Sequence, residues 1–256
     1  MTRAARVLAN SVRGMTRNRV RTFFMMLGTF VGVCALTVMM AIGRGTQQDM
    51  MEKVGRMLGG SSVYLRAGGS RMVGGAHTGG PTTTLTLEDV RAIDDDLEQV
   101  ELADPMFSSG RREVVYGSMT RPIRIEGHSE AAELVSNRSV TRGAYFTRSD
   151  VVSASRVALV GEVVVRELFA GRDPIGEQIR IGTIPFQVVG VLEPIGIDPH
   201  GIDKDSEIII PITTMMRRLL NVDYIMAAHL ALTRGSDVGA TVLEIEAILR
   251  KRHALG

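Results

Sequence analysis

Tryptophan is absent from this 256-residue chain, and aromatic residues make up only 4% of it. Many membrane proteins carry aromatic belts at both lipid–water interfaces, and this sequence has little material for them. Cysteine occurs once, at Cys34, which excludes an intrachain disulfide framework. No GxxxxGK[ST] loop is present, so ATP hydrolysis through a phosphate-cradling loop is excluded. HExxH, the EF-hand spacing and GxSxG are missing as well, and no nucleophile–base pair follows from spacing. A second apolar run of about 18 residues or more is also lacking.

Acidic residues are missing from the first 22 positions, which hold six arginines: Arg3, Arg6, Arg13, Arg17, Arg19 and Arg21. The remainder carries 24 basic against 28 acidic residues, so the small positive net charge belongs to a short N-terminal arm. That distribution fits a membrane-facing arm and not a nucleic-acid-binding surface. Within residues 3–17, Ala4, Val7, Leu8, Val12 and Met15 share one helical side and the arginines the other. This is the pattern of a helix lying in the interface plane, with Arg13, Arg17, Arg19 and Arg21 near anionic headgroups. Residues 1–22 are therefore read as a cytoplasmic amphipathic arm.

From Phe23 to Ile42 no residue is charged. A helix of that length spans about 30 Å, the thickness of the hydrocarbon core. The arginines before it orient it with the N-terminus inside and the rest of the chain outside. A signal peptide has a shorter apolar region, about 7–15 residues, so an uncleaved anchor over 23–42 is expected, although Ala41-Ile42-Gly43 is a passable cleavage pattern. Gly28 and Gly32 form a GxxxG face suited to close packing on another helix. Met25, Met26, Met39 and Met40 read as apolar filler.

Residues 43–58 keep helical spacing and read as a stalk. "SSVYLR" alternates as a strand, and "AGGSRMVGGAHTGGP" (67–81) reads as a mobile Gly-rich stretch. Thr86 and Asp89 form a capping box for a helix to about Asp96. Strands are expected near 112–116, 121–126 and 156–161, with a short helix at 129–136. "EVVVRELFAG" reads as a helix; "EQIRIG" and "IPFQVVGVL" read as a hairpin pair. "SEIIIP" reads as a buried strand, "ITTMMRRLL" as a short helix, "IMAAHLALT" as a strand, and Ser236 as the start of a last helix. The irregular mixture indicates an α+β class.

The segment with most polar chemistry is "EPIGIDPHGIDKDSE" (193–207), with Glu193, Asp198, His200, Asp203, Asp205 and Glu207. Its Asp, Gly and Pro content suits a solvated turn-rich loop better than a metal site. Asp94–Asp96 reads as a solvated helix end, His229 as a satisfied or surface histidine, and Lys204, Arg217, Arg218 and the terminal "RKRH" as surface charge.

Four stretches together carry a resemblance: "NRVRTFFMMLGTFVGVCALTVMMAIGRG", "TRGAYFTRSDV", "RVALVGEVVVRELFAGRDPIGEQIRIGTIPFQVVGVL" and "SEIIIPITTMMRRLL". Their order resembles the first transmembrane helix and large extracytoplasmic domain of MacB/FtsX-like ABC transporter permeases. The resemblance implies one membrane helix with a stalk, then a mixed α/β periplasmic or extracellular domain of two subdomains over 59–253, held at a bacterial inner membrane. It implies a non-enzymatic permease segment that transmits motion from a cytoplasmic ABC ATPase outward, for efflux, lipoprotein release or related export. Implied partners are that ATPase, a second permease copy, a periplasmic adaptor and membrane lipid, with no nucleic acid. No cofactor is expected in this chain; ATP would bind the ATPase partner. Three further membrane helices would follow in the family and are missing here. The rival reading is a single-pass anchored binding or sensor module outside the membrane.

Overall fold

The structure, a computed structural model, describes residues 20, 23–24, 27–28, 30–37, 39–40, 62–68, 71–73, 76–78, 84–136, 138–198 and 201–253. The chain divides into two units, Met1–Val54 and Gly55–Gly256.

In the first unit every described residue between 20 and 40 is helical. Phe23, Phe24, Phe30, Val33 and Leu36 are all exposed, as is Cys34. No helix among the described residues is long and apolar enough to cross a membrane. The expected span over 23–42 is thus described only in part. The basic arm, including Arg13, Arg17, Arg19 and Arg21, and the stalk at 43–58 lie outside the described residues.

The second unit is built on a nine-stranded sheet. Strand β1 (Ser62–Arg66) lies beside β11 (Ala227–Leu232), which lies beside the first part of β4 (Val100–Tyr116). The second part of β4 pairs with β5 (Met119–His128). From there β10 (Glu207–Pro211), β7 (Val157–Val160), β9 (Ile184–Leu192) and β8 (Gln178–Ile181) follow in lateral order. Strand β8 pairs back onto β4 through Val114↔Ile181, so these six strands close into a barrel. The β5–β10 and β7–β9 pairs are parallel and the other pairs antiparallel. Strand β6 (Val140–Gly143) adds to β9 beyond the end of β8. A separate hairpin joins β2 (Arg71–Val73) and β3 (Ala76–Thr78).

The side-chain period of two sorts the barrel residues. Ile208, Ile210, Ala158, Val160, Ile125, Ile181 and Phe186 point inward and form one core with the helices. Ile209, Leu159 and Leu192 point outward and pack with Phe146 in a second cluster. Continuous apolar runs such as "EIIIP" are buried on both faces for this reason.

Helix α1 (Leu87–Asp96) starts at the expected capping box, with Thr86 and Asp89 bonded reciprocally. A second box, Thr147 with Asp150, starts α3 (Arg148–Ser153), after the short α2 (Ala132–Val135). Helix α4 (Glu162–Leu168) follows Gly161, whose Cα lies against the Asp205 carbonyl so closely that a Cβ would collide. Helix α5 (Ile212–Thr214) passes into a π-helical turn, Met215–Leu220, ended by Asn221 in the left-handed region. Helix α6 (Val238–Arg252) starts at Asp237, one residue after the expected Ser236, because the Asp237 carboxylate accepts from the Gly239 and Ala240 N–H groups. Arg250, Lys251 and Arg252 fill its last turn, where cations suit the helix dipole.

Two sequence expectations differ from the fold. Strand β4 begins at Val100 and runs for 17 residues, whereas a strand was expected only from about 112. Asp104-Pro105 and Ser108–Gly110 disguise it: the first pair lies in regular register with His229 and Ala228 of β11, and the second is absorbed by a bulge between Ser108 and Arg111. The Gly-rich stretch at 67–81, read as mobile, contains the β2–β3 hairpin. The β1–β11–β4 sheet and the barrel share β4 and one core.

Candidate functional site

The outer faces of β4, β5, β10 and β11 carry a buried polar layer beneath the segment from Ser129 to Phe146. Asp104 is fully buried and sits opposite His229 in the β4–β11 register. Its Oδ2 lies 2.8 Å from His128 Nδ1, and its Oδ1 accepts from the Ser129 N–H and Oγ–H, each at 2.9 Å. One carboxylate therefore holds the point where the chain leaves β5 for α2.

Burial alone would push the His128 imidazole down. Asp104 at hydrogen-bond distance, with Glu126 and Glu207 nearby, outweighs burial and raises it above the ordinary histidine range. His229 is pushed the other way, by burial and by the neighbouring His128, with Asp104 opposing. Its Nδ1 lies 3.5 Å from Ser136 Oγ, and its buried Nε2 has no partner among the described residues.

Farther along the layer, Arg138 donates to Glu207 at 3.0 Å and to the carbonyls of Lys204 and Glu193. Lys204 Nζ lies 3.3 Å from the second Glu207 oxygen. Glu126 accepts from Ser108 Oγ at 2.9 Å, and burial raises its carboxyl above the usual range. Removing one partner of a buried charge pair leaves the other uncompensated, so this layer fastens residues 129–146 to the barrel.

A second polar assembly lies between the helices on the opposite face of the β1–β11–β4 sheet. Asp89 accepts from Thr86 N–H (2.9 Å) and Thr86 Oγ1–H (2.8 Å), from Arg252 Nε (2.7 Å), and lies 3.0 Å from His253 Nε2. Burial would raise its carboxyl, but the Arg252 bond, with those of Thr86 and His253, holds it below the usual carboxylate range. The terminal charges read from sequence as surface decoration thus include two residues bound to a buried carboxylate. Lys204, read the same way, belongs to the buried layer, and Arg218 donates to the Ala154 carbonyl.

The acidic loop spends its carboxylates on its own backbone. Asp205 accepts from Ile195 N–H and Gly196 N–H, Asp203 from Asp205 N–H, and Asp198 from Ile202 N–H. Glu193 accepts from Ser139 Oγ at 2.8 Å. His200 lies outside the described residues. No group of three or more His, Cys, Asp or Glu placed to hold a metal occurs among the described residues. Gly28 and Gly32 are exposed on the N-terminal helix, and a Cβ at either would meet nothing within 4 Å.

Residues 22–248 match the family described as "MacB-like periplasmic core domain". The chain belongs to this family. A "Macrolide export ATP-binding/permease protein MacB" of Chlorobium phaeobacteroides is 29% identical over 97% of this chain and 37% of its own length. A protein of the same description from Hyphomonas neptunium is 33% identical over 94% of this chain and 37% of its own. A "Pyoverdine export ATP-binding/permease protein PvdT" of Pseudomonas entomophila is 31% identical over 94% and 36%. The chain thus spans little more than a third of the length of these curated relatives. The crystal structure of the periplasmic region of MacB from Actinobacillus actinomycetemcomitans has the same fold, with a TM-score of 0.67 at 17% identity over 78% of this chain and 87% of that one. The extracellular domain of YknZ from Gram-positive bacteria aligns with a TM-score of 0.62 at 18% identity, covering 76% and 95%. The mixed α/β unit expected from sequence is therefore a MacB-like periplasmic core domain.

Proposed function

We propose that this chain is the outer part of an ABC transporter permease and passes motion driven by a cytoplasmic ATPase to partners outside the membrane. The observation that carries this reading is the family match over residues 22–248, which takes in both the apolar helix and the sheet domain. In this reading residues 23–42 cross the inner membrane with the N-terminus inside. Arg13, Arg17, Arg19 and Arg21 hold the arm at the headgroups, and Gly28 and Gly32 let a neighbouring membrane helix approach. The partners are an ABC ATPase, a second permease copy and a periplasmic adaptor, and the cargo class follows the export role named for the relatives.

The domain is suited to transmission in one respect. Its first strand and its last helix lie together: Leu65 and Leu249 line one apolar recess, and α6 is tied to α1 through Asp89. A displacement applied at either end reaches the same core.

The test needs no knowledge of the cargo. Spin labels are placed at Met119→Cys in a Cys34→Ser background, in membranes holding the cognate ATPase and the family's remaining membrane helices. The distance between labels on two copies is measured with and without trapped ATP. A change on trapping is expected. An unchanged distance would sink the transmission reading and favour an anchored binding or sensor module.

A further inference from the structure

Strands β4 and β5 carry a like-charge pair that the fold goes out of its way to make. Phe107↔Gly127 and Ser108↔Glu126 set the register at one end of the ladder. Continued without interruption, that register would put Gly110 opposite Arg124 and turn Arg111 toward the inside of the barrel. The bulge between Ser108 and Arg111, with Gly110 at φ 70°, adds one residue and sets Arg111 directly opposite Arg124 on the outer face. Like charges directly opposite on paired strands are destabilising.

Arg111 has no ion pair among the described residues, and neither has Arg121, which donates only to its neighbour's carbonyl. Arg124 lies 3.7 Å from Glu126, a carboxylate already accepting from Ser108. The pairing of β5 with β10 begins at Arg124, so the β5 edge is open before it. Arg121 and Arg124, on opposite faces of β5, both reach a cavity of about 500 Å³ at this edge, and Arg111 reaches it from β4. The facing wall holds Glu167 of α4 and Asp203 of the acidic loop. No arginine lies within 4.0 Å of either carboxylate among the described residues, so the two sets of charge face each other across the gap without closing it.

We infer that this cavity binds a small zwitterion: a phosphate held by the paired guanidinium forks of Arg111 and Arg124, with an ammonium group turned to Glu167 and Asp203. Guanidinium forks match phosphate oxygens two at a time, and an anion between Arg111 and Arg124 converts their repulsion into two attractions. The cavity volume lies in the usual range for small-ligand sites. Phosphoethanolamine has this chemistry, either as a free molecule or as a lipid headgroup. The inference does not depend on the transmission reading, because it concerns binding to the barrel alone.

The test uses the full chain in non-ionic detergent, titrated by calorimetry with phosphoethanolamine, inorganic phosphate and ethanolamine. Phosphoethanolamine is expected to bind at least about ten-fold more tightly than phosphate. Arg111→Gln should lose both ligands while its melting temperature without ligand stays level or rises, since repulsion is relieved. Glu167→Gln should weaken phosphoethanolamine to the level of phosphate and leave phosphate unchanged. A parallel titration with lysophosphatidylethanolamine tells the source: tighter binding of the lysolipid assigns a membrane headgroup, and equal or weaker binding a free metabolite. Absence of binding by all three phosphate compounds at up to about 10 mM, or equal affinity in Arg111→Gln, would overturn the site. Equal affinity for phosphate and phosphoethanolamine in the unaltered chain would overturn the zwitterion assignment.

Discussion

Asp89 at the start of α1 and Arg252 at the end of α6 are 163 positions apart in sequence and 2.7 Å apart in space. The same carboxylate caps α1, so one side chain both starts a helix and fastens the last one. Asp89 is buried and Arg252 exposed, so the pair keeps one solvated end.

Replacing Asp89 by Asn should lower stability by about 1–3 kcal/mol, through the lost cap and the unpaired Arg252. Arg252→Ala should cost less, because the cap survives and the arginine is exposed. Urea unfolding of both single variants and the double variant checks this. Strict additivity would show that the pair does not couple.

Asp89 also sets an acid limit. Its folded value lies below the ordinary carboxylate range, so its contribution is fully present above the unfolded carboxylate value, near pH 4, and is lost as pH falls through the lower folded value. Asp150, held down by its bonds to Thr147, adds in the same window. The stability lost between pH 7 and pH 3, measured by urea unfolding at each pH, should therefore be smaller in Asp89→Asn than in the unaltered chain.

The two histidines of the buried layer should give opposite slopes. His128 is raised, so its contribution is present below the unfolded histidine value of about 6.5 and fades as pH climbs through the higher folded value. His229 is lowered, so its contribution is present above about 6.5 and fades as pH falls. Melting temperatures from pH 5 to 8 should therefore rise more steeply with pH in His128→Gln than in the unaltered chain, and less steeply in His229→Gln. Parallel curves for all three would contradict the assignment.

Gly161→Ala should destabilise the barrel by roughly 2 kcal/mol or more, because the added carbon meets the Asp205 carbonyl and backbone must move. Replacing Gly28 and Gly32 together by Leu should leave the melting temperature of the outer unit unchanged, since a Cβ there meets nothing within 4 Å. ATPase-linked export by the complete transporter should drop in that double variant. Equal export would remove both glycines from the mechanism.

Much of the fold was readable where one local signal dominates. The capping box at Thr86, the buried run of β10 and the β8–β9 hairpin each rest on a few adjacent residues. Strand β4 was half hidden because proline and a bulge interrupt its alternation, and only the partner strands settle its course. The polar assemblies were less readable. Nothing near Arg252 announces a carboxylate 163 residues earlier, and Asp104 beside a proline looks like a turn residue until His128 arrives from the next strand. Arg111 and Arg124 look like scattered charge until the bulge sets their register.

The closed ring also fixes an order of events. Strand β10, made of residues 207–211, sits between β5 and β7 and is buried throughout. In a chain emerging from its amino end, β5 (ending at His128) and β7 (ending at Val160) both precede Glu207, so the slot between them stays empty until β10 is made. Edges left in that state invite pairing with other chains. Completion waits further for β11, which fits between β1 and β4, and for Arg252 to reach Asp89. Neither the ring nor the second sheet can close before residues 207–232 are present, and any species lacking them leaves strand edges open to pairing with other chains.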